Sequence, residues 1–422
     1  MADQLPRPDP RAIAGAPSPR AALGFLLATM FLGAMGIGLV APVMPFVVAR
    51  FVAPGHVASL TTALSASYAA ASFVAAPALG VLSDRFGRKP VLIVSLLGSV
   101  VGYVVFGLAD AFPILVVGRL IDGFTAGNFS AVLAAVADST RPNDRARIFG
   151  YVGATAGAGL IAGPAIGGAI APLGLAAPVY FAAAVTCANA IFGAIFMRET
   201  RTRDAAAKPL AIQRLNPIAQ LGGLLRITEL RPLLVVSMLF AAAIAMMSAL
   251  VAVFAKDTLG WSVAEVSIVF VLVGSCDIVV QGLLLGRLLR RLGERRAGVF
   301  GLGLAVLGLF GMASVRVVAS AVALVLGVAA FAIGEGIFTA CLGSAISNTA
   351  SSEQQGRVQG GSQSLQSAMQ IVAPVIGGLL YSRIDAAAPY VLGGCCAVIS
   401  ALLYARTRVR ETNDSPALVT ST

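Results

Sequence analysis

The stretch Gly80-Val-Leu-Ser-Asp84-Arg85-Phe-Gly87-Arg88-Lys89 sets four charges within six residues of an otherwise apolar region. Apolar runs flank it at 61–82 and 90–109, each about the 20 residues that a helix needs to cross a bilayer core. It reads as a short loop between two membrane spans. A second copy stands at Gly286-Arg-Leu-Leu-Arg290-Arg291-Leu-Gly293-Glu294-Arg295. Gly80, Leu82, Arg85 and Gly87 match Gly286, Leu288, Arg291 and Gly293 at a constant offset of 206. Farther on, Arg147, Gly150, Pro164, Gly167 and Gly168 match Arg357, Gly360, Pro374, Gly377 and Gly378 at an offset of 210. Two matches at nearly one offset point to duplicated halves. Membrane transporters are often built this way, with the substrate path near mid-membrane where the halves meet.

Reading outward, the apolar runs fall at 21–49, 61–82, 90–109, 112–137, 149–171 and 176–197, then at 232–254, 263–285, 297–315, 318–344, 359–381 and 388–405. The expected architecture is an all-α integral membrane protein with twelve transmembrane helices in two pseudo-symmetric six-helix bundles. The bundles take residues 21–197 and 232–405. A cytoplasmic linker covers 198–231, and disordered or tail segments cover 1–20 and 406–422. Composition agrees: 58% of residues are hydrophobic and 12% charged, about half the charged share of soluble domains, and mean hydropathy is +0.89.

Charge sets the orientation. With the N-terminus in the cytoplasm, 25 of the 30 Lys and Arg residues fall in cytoplasmic segments and 4 in external ones, with Arg119 inside a span. Positive charge collects on the cytoplasmic side, so both termini are expected inside. The net charge of +11 is accounted for by these loops, and nucleic acid is not an expected partner. The five cysteines lie in apolar runs with no CxxC, and His56 is the only histidine, so no disulfide, metal or catalytic triad is expected. The first 20 residues do not read as a signal peptide, because the apolar run that follows is too long.

GVLSDRFGRKP (80–90) resembles the loop signature of the major facilitator superfamily. GRLIDGFTAGN (118–128) is similar to the fourth-helix signature around its arginine, here Arg119, and GAGLIAGPAIGG (157–168) to the fifth-helix antiporter signature. With GIGLVAPVMP (36–45), the resemblance is to drug:proton antiporters nearest the tetracycline-efflux branch. It implies export rather than uptake, proton as the coupling ion, no cofactor and no enzymatic activity. It also implies the bacterial cytoplasmic membrane and function as a monomer. That branch usually has an aspartate in the first helix just before AxGIGL; here the position is Gly33. A carboxylate used near substrate or proton is therefore missing, and the tetracycline label does not carry over with the class.

Candidate residues follow from physical cost and from the resemblance. Arg119 and Asp122 are three apart on one helix face, and charges are expensive in lipid unless they face protein or water. They read either as a mutually neutralising pair or as a proton site tuned by the arginine, and the resemblance favours the second. Asp277 and Glu335 are the other intramembrane carboxylates. Proton coupling is assigned to Arg119, Asp122, Asp277 and Glu335. Gating is assigned to Gly80, Asp84, Arg85, Gly87, Arg88 and Lys89, with an Arg88–Asp138 pair as a further link. Gating also takes the small face Gly159, Gly163 and Gly167 beside Pro164, expected to let the halves close. Substrate contact is assigned to Asn128, Phe240, Met246, Gln281, Gln363 and Gln366, with Met247, Phe254 and Gln370 as apolar or polar neighbours. The leading function is a proton-coupled exporter of amphipathic small molecules working by alternating access. The alternative is a polar-metabolite symporter or facilitator on the same fold.

Overall fold

The computed structural model describes residues 19–126, 132–133, 135–136, 140, 144–197, 199, 230–349 and 355–407. Twelve α-helices and no strand occur among these residues. They are α1 (Pro19–Val48), α2 (Val57–Phe86), α3 (Arg88–Gly107), α4 (Phe112–Thr125), α5 (Arg145–Ile170), α6 (Ala177–Phe196), α7 (Arg231–Leu259), α8 (Val263–Val279), α9 (Leu285–Val318), α10 (Ala321–Thr349), α11 (Gln355–Arg383) and α12 (Ala388–Arg406). Ten stretches among the described residues are long and apolar enough to cross a membrane. One of them, Val263–Val318, takes in two spans, as the hydropathy pattern places them: α8, the π-helical turn Val280–Leu284 and the start of α9 run to Gly293, and the rest of α9 returns. The chain turns back within it at Gly293, whose φ of 73° and ψ of 164° break the helix.

Gly87, 206 residues earlier, has φ 103° and ψ 157°. Both lie in a region that only glycine adopts without strain, so the repeat in the sequence is also a repeat of backbone turn. The packing repeats too. In the first half α1 packs on α5 and α6, α3 on α4 and α6, and α2 on α4; in the second, α7 packs on α11 and α12, α9 on α10 and α12, and α8 on α10. Close approach is set by small residues at matching places. A Cβ on Gly102 of α3 would stand 2.8 Å from the Asp122 backbone nitrogen of α4, and one on Gly308 of α9 would stand 2.5 Å from that of Phe331 of α10.

The halves meet chiefly through two seams, α2 with α11 and α5 with α8. The apolar core is continuous across the molecule and includes Leu39 and Val43 of α1, Leu250 and Phe254 of α7 and Phe331 of α10.

Candidate functional site

The α5–α8 seam is tight at one end only, and the α2–α11 seam is close at that same end. On α11, a Cβ at Gly378 would lie 3.0 Å from the Ser59 Cα of α2. On α5, one at Gly168 would lie 2.8 Å from the Ser267 Cβ of α8, and on α8 one at Gly274 would lie 2.6 Å from Ile161 of α5. Residues 153, 157, 161, 165 and 168 form one face of α5, spaced by a helical turn. Contact with α8 runs from Ile161 to Gly168, whereas the places a Cβ would take on Gly153 and Gly157 have no neighbour within 4 Å. The halves therefore touch at the end bearing residues 49–56 and 260–262, and part toward the end bearing 83–89 and 285–296.

Between them lies a cavity of about 570 Å³, within the range of small-molecule sites. Ile37, Val40, Met44, Phe240, Ile244 and Leu342 supply most of its apolar wall. Tyr68, Arg119, Glu335, Thr339, Gln366 and Gln370 supply polar groups. Of the residues singled out from sequence, Arg119, Glu335, Phe240, Gln366 and Gln370 thus meet in one place. Met246 is buried at the α7–α11 contact, where a Cβ on Gly377 would lie 3.1 Å from its Cγ. Gln281 and Gln363 are exposed and do not line the cavity. Asn128 and Asp138 lie outside the described residues.

Arg119 and Asp122 form a buried ion pair, Nη1 to Oδ2 at 3.0 Å. The guanidinium also stands 4.1 Å from the centroid of the Tyr68 ring, a cation–π contact. The α3 backbone at Gly102 backs the Asp122 side chain from behind. Glu335 has no ion-pair partner among the described residues. Asp277 lies behind it: a Cβ on Gly336, the next residue of α10, would be 3.3 Å from Asp277 Oδ1. Gly33 is exposed with nothing near the place of its missing side chain. It lies one turn from Ile37 on the cavity face of α1.

The Gly159–Gly163–Gly167 face does not meet the second half, as its pattern suggested. It packs on α1 of its own half: a Cβ on Gly163 would be 2.9 Å from Gly38 Cα, and one on Gly167 would be 3.3 Å from the Leu39 carbonyl oxygen. Gly38 in turn would meet Pro164 Cδ at 2.6 Å. The face toward the other half is rotated from it and carries Ile161 and Gly168. Glycine spacing identifies a close helix contact, but not which partner takes it.

At the loop 83–89, Asp84 pairs with Arg88 at 2.8 Å while remaining 62% exposed. Glu199, just beyond α6, accepts from the backbone N–H groups of Arg88 (2.8 Å) and Lys89 (3.2 Å). It caps the start of α3, where the helix dipole favours a negative charge. Neither Glu199 nor Tyr68 had a signal in the sequence, since each acts through a helix distant in the chain. Among the described residues no three His, Cys, Asp or Glu side chains converge as metal ligands would.

A family profile described as Major Facilitator Superfamily matches residues 26–374. The chain is 31% identical over 385 residues to the class C tetracycline resistance protein of Escherichia coli, covering 91% of this chain and 94% of that one. It is 34% identical over 378 residues to the class G protein of Vibrio anguillarum (88% and 92% covered). It is 28% identical over 397 residues to multidrug resistance protein 2 of Bacillus subtilis (strain 168), with 93% and 96% covered. Among solved structures, the human organic anion transporter MFSD10 superposes with a TM-score of 0.67 at 22% identity, covering 92% of this chain and 100% of that one. The nucleoside transporter NupG superposes at 0.73 and 13%, covering 91% and 97%. At these identities the structures bear on fold alone.

Proposed function

The chain belongs to the major facilitator superfamily, a multi-pass membrane transporter rather than an enzyme, and from that premise we propose that it exports amphipathic small molecules in exchange for protons. The observation that carries this reading is the cavity between the halves, with apolar walls and a few polar groups, closed at one end and open toward the other. A wall with more apolar than hydrogen-bonding side chains suits amphipathic compounds better than polar metabolites. Relatives named for tetracycline and multidrug resistance support export.

The charge asymmetry of the loops puts the open end in the cytoplasm, making this an inward-open state of a bacterial cytoplasmic membrane protein with both termini inside. Residues 21–197 and 232–405 then act as two rocking units joined by 198–231, and alternating access follows as the α2–α11 and α5–α8 seams part at the outer end and close at the inner one. The loop 80–89 takes part in that inner closure. Each monomer holds a complete path. Arg119 is already balanced by Asp122, which leaves Glu335 as the unbalanced charge among the described lining residues. The cavity therefore favours neutral or cationic substrates over anions.

The test is growth of cells expressing the chain across a panel of toxic compounds, followed by efflux of the protected compounds with and without a proton ionophore. Protection against several amphipathic compounds, lost with the ionophore, is expected. Efflux that persists unchanged in its presence would contradict proton exchange.

A further inference from the structure

We propose that the exchangeable proton is carried in the second half of the molecule, by Glu335 in the cavity wall with Asp277 behind it as relay, while Arg119–Asp122 stays a fixed ion pair. This rests on the proton-coupled reading above and names the site within it. Three membrane carboxylates are described, and their surroundings differ. Asp122 has its counter-charge at 3.0 Å, and Arg119 is held in turn by Tyr68. Protonating Asp122 would strand a buried guanidinium, which is costly. Glu335 faces the cavity with no ion-pair partner among the described residues. A carboxylate so placed must be neutralised from outside itself, by a proton or by a substrate.

The groups around it support the assignment. From α2 and α4 the cavity receives Tyr68 and the already paired Arg119; α1, α7 and α11 add only uncharged side chains. On α8 the titratable neighbours are Asp277 and Cys276, both partly buried. The α9 helix carries its charges at 287–296, where Leu288 and Leu289 pack with Cys341, and at Arg316 near its far end. Gly336 is what admits Asp277 to this spot, because any side chain there would press on Oδ1 and on Val280 Cγ1 at 3.1 Å. Directly after Asp277 the chain passes into the π-helical turn Val280–Leu284, a feature often found at functional positions. In the step itself, the O–H bond of the Glu335 acid breaks as one forms on the Asp277 carboxylate, and Asp277 then passes the proton to water at the open end. No electrons are transferred. With Gly33 in the first helix, no carboxylate of that helix competes for the proton.

The proton can be read without knowing the substrate. The full chain, reconstituted in lipid, is titrated in pH while the infrared carboxylic C=O stretch is recorded. Among the bands of the chain's 19 Asp and Glu residues, one is expected that is lost in Glu335→Gln, shifted in midpoint in Asp277→Asn and still present in Asp122→Asn. If Glu335→Gln does not fold, Glu335→Asp serves, with the band kept and its midpoint moved. If no band is lost in Glu335→Gln, or that band stays put in both Glu335→Asp and Asp277→Asn or vanishes in Asp122→Asn alone, the proposal is overturned. Ionophore-insensitive export with the expected bands in place would count against the coupling reading and leave the proton site standing.

Discussion

Lys89 and Arg295, 206 residues apart, make the same contact in the two halves. Lys89 Nζ donates to the carbonyl of Ala194 at 2.8 Å, and Arg295 Nη2 donates to the carbonyl of Ala405. Each ties the turn after a positive-φ glycine to the C-terminal end of the sixth helix of its half, where orphan carbonyls and the helix dipole favour a cation. The symmetry stops at Glu199. It caps α3, and at the offset of 211 that pairs Ala194 with Ala405 the second half has Arg410.

The first prediction concerns that asymmetry. Glu199→Ala should lower stability by about 1 kcal/mol, the usual worth of a helix cap. Lys89→Ala, losing one exposed contact, should cost less. Thermal unfolding of the purified variants in detergent gives the order, and a larger loss for Lys89→Ala would contradict it.

The two turn glycines should not be equally sensitive. Alanine at either position meets backbone strain of about 1–3 kcal/mol. At Gly293 the side chain would have open space, but at Gly87 it would meet the Glu199 carboxylate. Gly87→Ala should therefore melt lower than Gly293→Ala. Equal or reversed shifts would show that Glu199 does not brace this turn.

Arg119 and Asp122 should behave as a unit. Removing one partner of a buried pair costs about 3–5 kcal/mol, because the other is left uncompensated. Arg119→Ala and Asp122→Ala should each fall in that range, and the double variant should cost clearly less than their sum. Additive losses in a double-mutant cycle would mean that the pair is not coupled.

The end at which the halves touch offers a mechanical test. Thr62 of α2 and Gly378 of α11 meet directly. With the five native cysteines replaced, Thr62→Cys with Gly378→Cys should cross-link under oxidant and arrest transport, and reductant should restore it. Transport that continues at full rate in cross-linked protein would mean that this seam need not open.

Much of this was legible in the sequence, for identifiable reasons. The loop and its copy, most of the apolar spans and the Arg119–Asp122 pair follow from hydropathy, charge cost and repeat, and Glu335, Phe240 and Gln366, chosen for proton coupling or substrate contact, line the cavity. Periodicity gave the axial level of a residue but not always its partner. Gly159, Gly163 and Gly167 mark a close contact whose other side is α1 rather than the second half. Met246 shares a helix with Phe240 yet turns into the α7–α11 contact, because 246 lies on a different face. Tyr68 and Glu199 act only through helices far away in the chain, and no local pattern reports them. The turn at Gly293 falls within the charged stretch 286–295 that the hydropathy pattern leaves between the eighth and ninth spans.

The central claim is export driven by protons, and inside-out membrane vesicles test it most directly. With a compound identified by the growth screen, vesicles acidified inside should accumulate it several-fold, lose it when nigericin collapses the pH gradient, and show neither effect with Glu335→Gln. Accumulation that is the same with and without the gradient would contradict the account.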